Sequence, residues 1–263
     1  MLATLDSGAR GRAGAEISRL EERMSHDSTQ TVDTPDGPMQ LYDVAPASQP
    51  SSAVIVIQEA FGVNEHIRDV TRRFAAAGFR AVAPTMFHRA GGGTAPYDDF
   101  AKVMPLFHGV SDDGIVADVD ATIGYLRTAG FDDRQIGIVG FCFGGRVTFL
   151  VATRRTLGAA VGFYGGGIVT TRIPIFVPLI GDAGKLATPW LGLFGDDDTG
   201  IPVADVEQLR ATLDRETNVA HEIVRYAGAA HGFHCDVRPS YHEAAAKDAW
   251  TRTLEWFGRH LAR

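Results

Sequence analysis

The sequence predicts an α/β fold in which a mostly parallel central sheet is flanked by helices on both faces. Short runs of apolar residues, many of them β-branched, recur along the chain, as is typical of strands buried on both faces. Segments with apolar residues at helical spacing lie between these runs. Strands that alternate with helices pair in parallel through crossover connections. No linker or repeat divides the chain, so we expect one domain.

The N-terminal part of the chain is predicted to hold an antiparallel hairpin. Residues 31–44 form two short runs around Asp36 and Gly37, a pair typical of a tight turn. We interpret residues 1–30 as a polar N-terminal extension, partly disordered, and residues 31–263 as the folded domain.

The remaining elements alternate in the expected manner. The run AVIVIQ at 53–58 predicts a buried strand, and Ile67, Val70 and Phe74 predict an amphipathic helix that ends before Gly78. The same reasoning predicts strands at 79–84, 135–140, 158–165, 188–195 and 220–226, and helices at 112–129, 143–156, 202–216 and 241–261.

Composition excludes several classes of protein. The chain has 263 residues, with 25 Lys and Arg against 32 Asp and Glu, which gives a net charge of −7. This charge argues against nucleic-acid and anionic membrane partners, since phosphate groups bind clustered basic residues. The two cysteines, Cys142 and Cys235, are too few for a disulfide scaffold. No apolar run is long enough to cross a membrane and no apolar signal core begins the chain, so we expect a cytoplasmic protein.

The motif that indicates chemistry most specifically lies at residues 140–144, with the sequence Gly-Phe-Cys-Phe-Gly. It follows a predicted strand and precedes a predicted helix, which is the context of a nucleophile on a sharp strand-to-helix turn. Flanking glycines allow that turn, and the helix N-terminus favours a thiolate at Cys142. The structural alternative is a buried cysteine beside a closely packed helix.

Two later segments supply an acid and a histidine. Residues 196–198 are three aspartates that follow a predicted strand, and either an acidic turn or a carboxylate that orients a histidine fits this position. His231 lies in a loop after the last predicted strand. The chain order nucleophile, acid, histidine matches that of the α/β-hydrolases. The residues alone do not select one of the three aspartates.

Metal and phosphate sites receive less support. His231, His234, Cys235 and His242 lack the spacings common in zinc sites. The glycines around Cys142 lack both the dinucleotide pattern and the Lys-Ser/Thr pair of a P-loop. We therefore expect no metal and no cofactor.

With these residues identified, the chain resembles the dienelactone hydrolase family of the α/β-hydrolase superfamily. The resemblance covers roughly residues 31–263 and is carried by five stretches: VIVIQEAFGVN (54–64), RAVAPTMFHR (80–89), GIVGFCFGG (137–145), GDDDTGIP (195–202) and YAGAAHGF (226–233). It implies an α/β-hydrolase fold that cleaves a small ester or lactone. Most other α/β-hydrolases have serine where this chain has Cys142.

The resemblance also implies roles for single residues. Cys142 is the expected nucleophile, His231 the base, and Asp198 the acid, because the family pattern selects the third aspartate. Glu59 is expected near the resting thiol, where it accepts the thiol proton once substrate binds; a structural strand-end carboxylate is the alternative.

Three more positions follow from the same family pattern. The backbone amides of Phe143 and Ala60 are expected to form the oxyanion hole. Arg89 is expected to pair with a substrate carboxylate, unless it is a surface arginine. Family members that act on dienelactone often carry a second arginine soon after the histidine, whereas this chain has Cys235 four residues after His231.

The predicted function is therefore hydrolysis of a small, dienelactone-like ester through a thioester intermediate on Cys142. The first alternative is a general carboxylesterase of broader specificity. The second is a thiol-bearing binding protein without catalytic activity. We expect a monomer or a homodimer whose partner is the small-molecule substrate.

Overall fold

The fold is built on a single eight-stranded sheet. The computed structural model describes residues 26–171, 173 and 175–262. The strands are β1 (His26–Thr34), β2 (Gly37–Ala45), β3 (Ala53–Ile57), β4 (Arg80–Pro84), β5 (Ile136–Phe141), β6 (Ala159–Phe163), β7 (Trp190–Gly195) and β8 (His221–Tyr226). Their spatial order is β1-β2-β4-β3-β5-β6-β7-β8. The pairs β1–β2 and β2–β4 are antiparallel, and all other neighbours are parallel.

Helices connect and cover the parallel strands. The described helices are α1 (Glu65–Ala76), α2 (Val103–Leu106), α3 (Asp112–Thr128), α4 (Phe143–Arg154), α5 (Val203–Glu216) and α6 (Glu243–His260). Every residue of β3, β5, β6 and β7 is buried, which requires cover on both faces of the sheet. The predicted α/β architecture with a mostly parallel central sheet is confirmed.

Local sequence signals account for the helix ends. The side chain of Asn64 accepts a hydrogen bond from Ile67 N at the start of α1, and Ser111 caps α3 in the same way through Gly114 N. Gly78 and Gly130, which follow these two helices, both have a φ of +97°. This left-handed conformation suits glycine and ends each helix where the sequence predicted.

The structure corrects the predicted N-terminal boundary. Strand β1 begins at His26, so residues 26–30 belong to the sheet and not to the extension; residues 1–25 lie outside the described part of the chain. The prediction missed this start because Asp27, Ser28 and Thr29 are exposed on an edge strand that pairs on one side only. An edge strand has no second neighbour to bury it and therefore lacks an apolar pattern.

Candidate active site

Cys142 lies on a sharp turn between β5 and α4. Its backbone has a φ of +55° and a ψ of −113°, which is strained for a residue with a side chain. A Cβ atom on Gly140 would lie 2.1 Å from Gly144 O, and one on Gly144 would lie 2.5 Å from Ile57 O. Only glycine fits at these two positions, so the predicted strand-to-helix turn and the need for its flanking glycines are confirmed.

Two backbone amides lie beside Cys142. Phe143 is the first residue of α4, where helical N–H groups have no partner within the helix. Ala60 follows β3, the strand next to β5 in the sheet. Both residues line the same cavity as the half-buried Cys142.

Asp198 and His231 lie after β7 and β8, at the same edge of the sheet as Cys142. The distance from His231 Nδ1 to Asp198 Oδ2 is 2.7 Å. Asp198 Oδ1 accepts a hydrogen bond of 2.8 Å from Gly200 N, and the Asp198 side chain is 2% exposed. Asp196 instead pairs with Arg225. The geometry therefore selects the third aspartate, in agreement with the family pattern.

The surroundings of His231 favour its charged form. Burial lowers the pKa of His231, but the charge and hydrogen bond of Cys142 together with those of Asp198 outweigh burial and raise the pKa to about 10. The ring of Tyr164 packs edge-on against the imidazole, with 5.2 Å between centroids. An ionised carboxylate only accepts hydrogen bonds, so His231 Nδ1 carries a proton and Nε2 is left for proton exchange.

Glu59 is fully buried and is contacted by two side chains that come from distant parts of the sequence. Tyr97 donates a hydrogen bond of 2.8 Å to Glu59 Oε2, and Arg238 Nη1 lies 3.7 Å from Glu59 Oε1. The thiol of Cys235 donates to the Tyr97 hydroxyl at 3.5 Å. Burial and the Glu59 charge raise the pKa of Tyr97, which keeps its hydroxyl a donor. Sequence reasoning missed Tyr97, because a tyrosine in a glycine-rich loop carries no local signal of this contact.

Most of the predicted site residues line one cavity of about 160 Å³. Cys142, His231, Phe143 and Ala60 line it together with apolar side chains that include Ile173, Phe176 and Ile201. A protein cavity of about 150 Å³ can hold a benzene molecule. The site therefore accommodates a group about the size of one six-membered ring.

Arg89 does not join this group of residues. Its guanidinium pairs with Asp118 at 2.7 and 2.9 Å and with Asp36 at 2.7 Å, and Nη2 also donates to Gly114 O. The Arg89 side chain is 7% exposed and is not among the residues that line the cavity. The expected pairing of Arg89 with a substrate carboxylate thus finds no support in the geometry, because two protein carboxylates already occupy the guanidinium.

The described residues form neither a metal site nor a membrane-spanning helix. Within residues 26–171, 173 and 175–262, no group of three or more His, Cys, Asp or Glu side chains is arranged to hold a metal ion. None of the helices described above combines the length and the apolar character needed to cross a bilayer.

The sheet order, the sharp strand-to-helix turn at Cys142 and the Asp198–His231 pair together define the α/β-hydrolase class. Residues 39–261 match the dienelactone hydrolase family, and the chain belongs to this family of carboxylic ester hydrolases. The carboxymethylenebutenolidase of Pseudomonas putida is 34% identical over 218 residues, which are 81% of this chain and 87% of that protein.

Further relatives agree with this assignment. A Salmonella typhimurium protein that bears the provisional name carboxymethylenebutenolidase is 43% identical over 212 residues, or 79% of this chain and 77% of that one. A crystal structure from Klebsiella pneumoniae, provisionally named a dienelactone hydrolase, has a TM-score of 0.82 and 37% identity. That alignment covers 89% of this chain and 99% of the other.

Proposed function

We propose that the protein hydrolyses small esters or lactones through a thioester intermediate on Cys142. One observation carries this proposal: Asp198 and His231 form a 2.7 Å pair, and His231 lines the same small cavity as Cys142. A nucleophile, a base and a group that orients the base are the three parts that covalent acyl transfer needs.

The proposed reaction has two halves. The Cys142 thiolate attacks the ester carbonyl, and the amides of Phe143 and Ala60 stabilise the resulting oxyanion. The tetrahedral intermediate collapses, the C–O bond breaks, and His231 Nε2 gives its proton to the leaving oxygen. His231 then removes a proton from water, and the hydroxide attacks the thioester and releases the carboxylic acid and the thiolate. Asp198 holds His231 in the required tautomer throughout.

Glu59 has a separate role in this proposal. We assign it to the proton exchange of the resting thiol, in which Glu59 accepts the Cys142 proton when substrate binds. Its full burial supports a functional role, because a buried carboxylate costs folding free energy even where Tyr97 and Arg238 contact it.

The charges around the cavity bear on the substrate. Among the described residues that line it, the cationic side chains are Arg146 and His231, and each is paired with a carboxylate. With Arg89 also paired, a substrate carboxylate meets no free guanidinium within the part of the cavity lining that the structure describes. This favours the first alternative, a general carboxylesterase of broader specificity, over an enzyme restricted to carboxylated lactones.

Kinetics and mass spectrometry test the proposal. Wild type, Cys142→Ala and the matched control Cys235→Ala are assayed with p-nitrophenyl acetate and with cis- and trans-dienelactone. We expect Cys142→Ala to lose activity by at least about 10³-fold and Cys235→Ala to keep most of it. Acid-quenched wild type should carry an acyl group on Cys142. Undiminished turnover by Cys142→Ala refutes the mechanism, and rapid alkylation of Cys142 with no hydrolysis at all supports the thiol-bearing binding protein.

A further inference from the structure

A buried ion pair lies one helical turn beyond Cys142. Arg146 N donates to Cys142 O at 3.3 Å, so the two residues share the first turn of α4. The Arg146 side chain is 2% exposed, and its Nη1 and Nη2 atoms donate to the two carboxylate oxygens of Asp112 at 2.6 and 3.0 Å. This two-point contact joins α4 to the first residue of α3 and fixes the plane of the guanidinium.

The same guanidinium also contacts the part of the cavity wall that contains Phe176. Arg146 Nη2 donates to Val177 O at 2.8 Å, and the Arg146 Cζ atom lies 4.4 Å from the centre of the Phe176 ring. Gly167, which also lines the cavity, packs against the aliphatic part of the Arg146 side chain. A Cβ atom on Gly167 would lie 3.1 Å from Arg146 Cδ. Three attachments therefore fix Gly167, Phe176 and Val177 relative to the nucleophile.

Phe176 closes the cavity beside the proposed oxyanion hole. Its ring stacks on that of Phe143, with 5.9 Å between centroids and 23° between planes. Ile173, from the same segment, lines the cavity as well. The position of Phe176 therefore sets how far a substrate group extends from Cys142.

We propose that Arg146 is a specificity-determining residue that, by fixing the Phe176 wall, limits the cavity to short, uncharged acyl groups. The inference rests on the proposed ester hydrolysis, and it adds the substrate class and the residue that sets it. Asp112 supplies the counter-charge, so Arg146 acts on the wall and not on a substrate carboxylate. A long acyl chain meets the Phe176 ring, whereas an acetyl or butyryl group fits within about 160 Å³.

A purely structural role for Arg146 makes a different prediction. Loss of the buried pair would then lower stability and reduce all activities by the same factor. A matched control exists at Arg80, whose Nε donates to Asp43 Oδ1 at 2.9 Å and whose Nη2 pairs with the second oxygen of the same carboxylate. Neither Arg80 nor Asp43 lines the cavity. Arg80→Met therefore removes a comparable two-point ion pair away from the site.

The experiment compares selectivity between esters and not absolute rates. The values of kcat/KM for p-nitrophenyl acetate, butyrate, hexanoate and octanoate are measured for wild type, Arg146→Met, Phe176→Ala and Arg80→Met. We expect the octanoate-to-acetate ratio to rise about tenfold or more in the first two variants, since one methylene in a pocket changes selectivity by a factor of roughly ten or more. It should be unchanged in Arg80→Met. A ratio within twofold of wild type in Phe176→Ala, or in folded Arg146→Met, overturns the proposal.

A second measurement separates this inference from the proposed function. Alkylation of Cys142 by N-alkyl iodoacetamides of increasing chain length reports access to the cavity and needs no turnover. If wild type hydrolyses no ester but the Phe176→Ala and Arg146→Met variants react faster with the long reagents, the proposed hydrolysis is refuted. The proposal that Phe176 limits the length of the acyl group then still stands. If chain length has the same effect in every variant, the wall proposal fails. If Arg146→Met does not fold, the same measurements are made on Asp112→Asn, which removes the negative charge that pairs with Arg146.

Discussion

The substitution Asp198→Asn tests the Asp198–His231 pair most directly. The structure dictates how an asparagine would sit there. Asp198 Oδ1 accepts from Gly200 N, so the amide oxygen of asparagine takes that position and its NH₂ group faces His231 Nδ1. Since NH₂ only donates, Nδ1 must become the acceptor, and the proton of a neutral imidazole moves to Nε2. Nε2 then cannot take a proton from water in the second half of the reaction.

The size of the effect follows from the contacts that are lost. A hydrogen bond to a charged group contributes about 1.5–3 kcal/mol, and the Asp198 carboxylate is nearly inaccessible to water. The corresponding change in a serine protease lowers kcat by about 10⁴-fold. A thiol ionises more readily than a hydroxyl and depends less on its base. We therefore expect kcat/KM to fall by about 10²–10³-fold, or about 3–4 kcal/mol in the barrier.

Steady-state hydrolysis of p-nitrophenyl acetate provides the assay, and the pH dependence of Cys142 alkylation provides an independent measure. The carboxylate raises the pKa of His231, so the variant should show that pKa below its value of about 10 in wild type. Asp197→Asn is the control, because Asp197 is exposed in the same turn. Activity of Asp198→Asn within threefold of wild type would refute the reasoning.

Three other outcomes are expected. Arg89→Met should lower the free energy of unfolding in urea by about 3 kcal/mol, because it leaves the buried Asp118 with only its 3.0 Å contact to His88. The preference between carboxylated and neutral esters should stay unchanged, and a changed preference contradicts the geometry. Gly144→Ala should cost more than about 3 kcal/mol or prevent folding, whereas Gly181→Ala, with open space around it, should change stability little. The unfolding free energy should fall from pH 6.5 to about 10, since folded His231 keeps a proton that the unfolded chain releases, and His231→Gln should remove this part of the slope.

Most of the fold could be predicted from the sequence because its signals are local. The run at 53–58 has no polar interruption before Gln58, and glycines follow the first two long helices, so the strands and helix ends lie within a few residues of prediction. The first five residues of β1 and the one-turn helix α2 escaped prediction, because they lack such a signal. An edge strand and a four-residue helix bury too little apolar surface to leave a periodic pattern.

The residues of the candidate site could likewise be predicted only where a local sequence signal marks them. Cys142, the three aspartates at 196–198 and His231 stand out in the sequence because each follows a strand in a distinctive motif, and the family resemblance then selects Asp198. The role expected of Arg89 depended on what lies opposite it, and its main partner is Asp118, on a helix 29 residues away. Tyr97 is 38 residues from Glu59. Partners at such separations are decided by the packing of the whole chain and leave no mark in the local sequence.

The close seating of α4 on the sheet has a consequence for how this scaffold can change. At Gly144 and Gly145 the helix backbone touches carbonyl groups of the strands, with no side chain between them. The Cys142 sulfur, the proposed nucleophile, is thereby anchored to the buried central sheet, while separate residues shape the space in front of it: Gly166, Gly167, Thr170, Thr171, Ile173 and Phe176. Substitutions at those positions can retune substrate preference without displacing the reactive atom, so new specificities are accessible here at little risk to the chemistry itself.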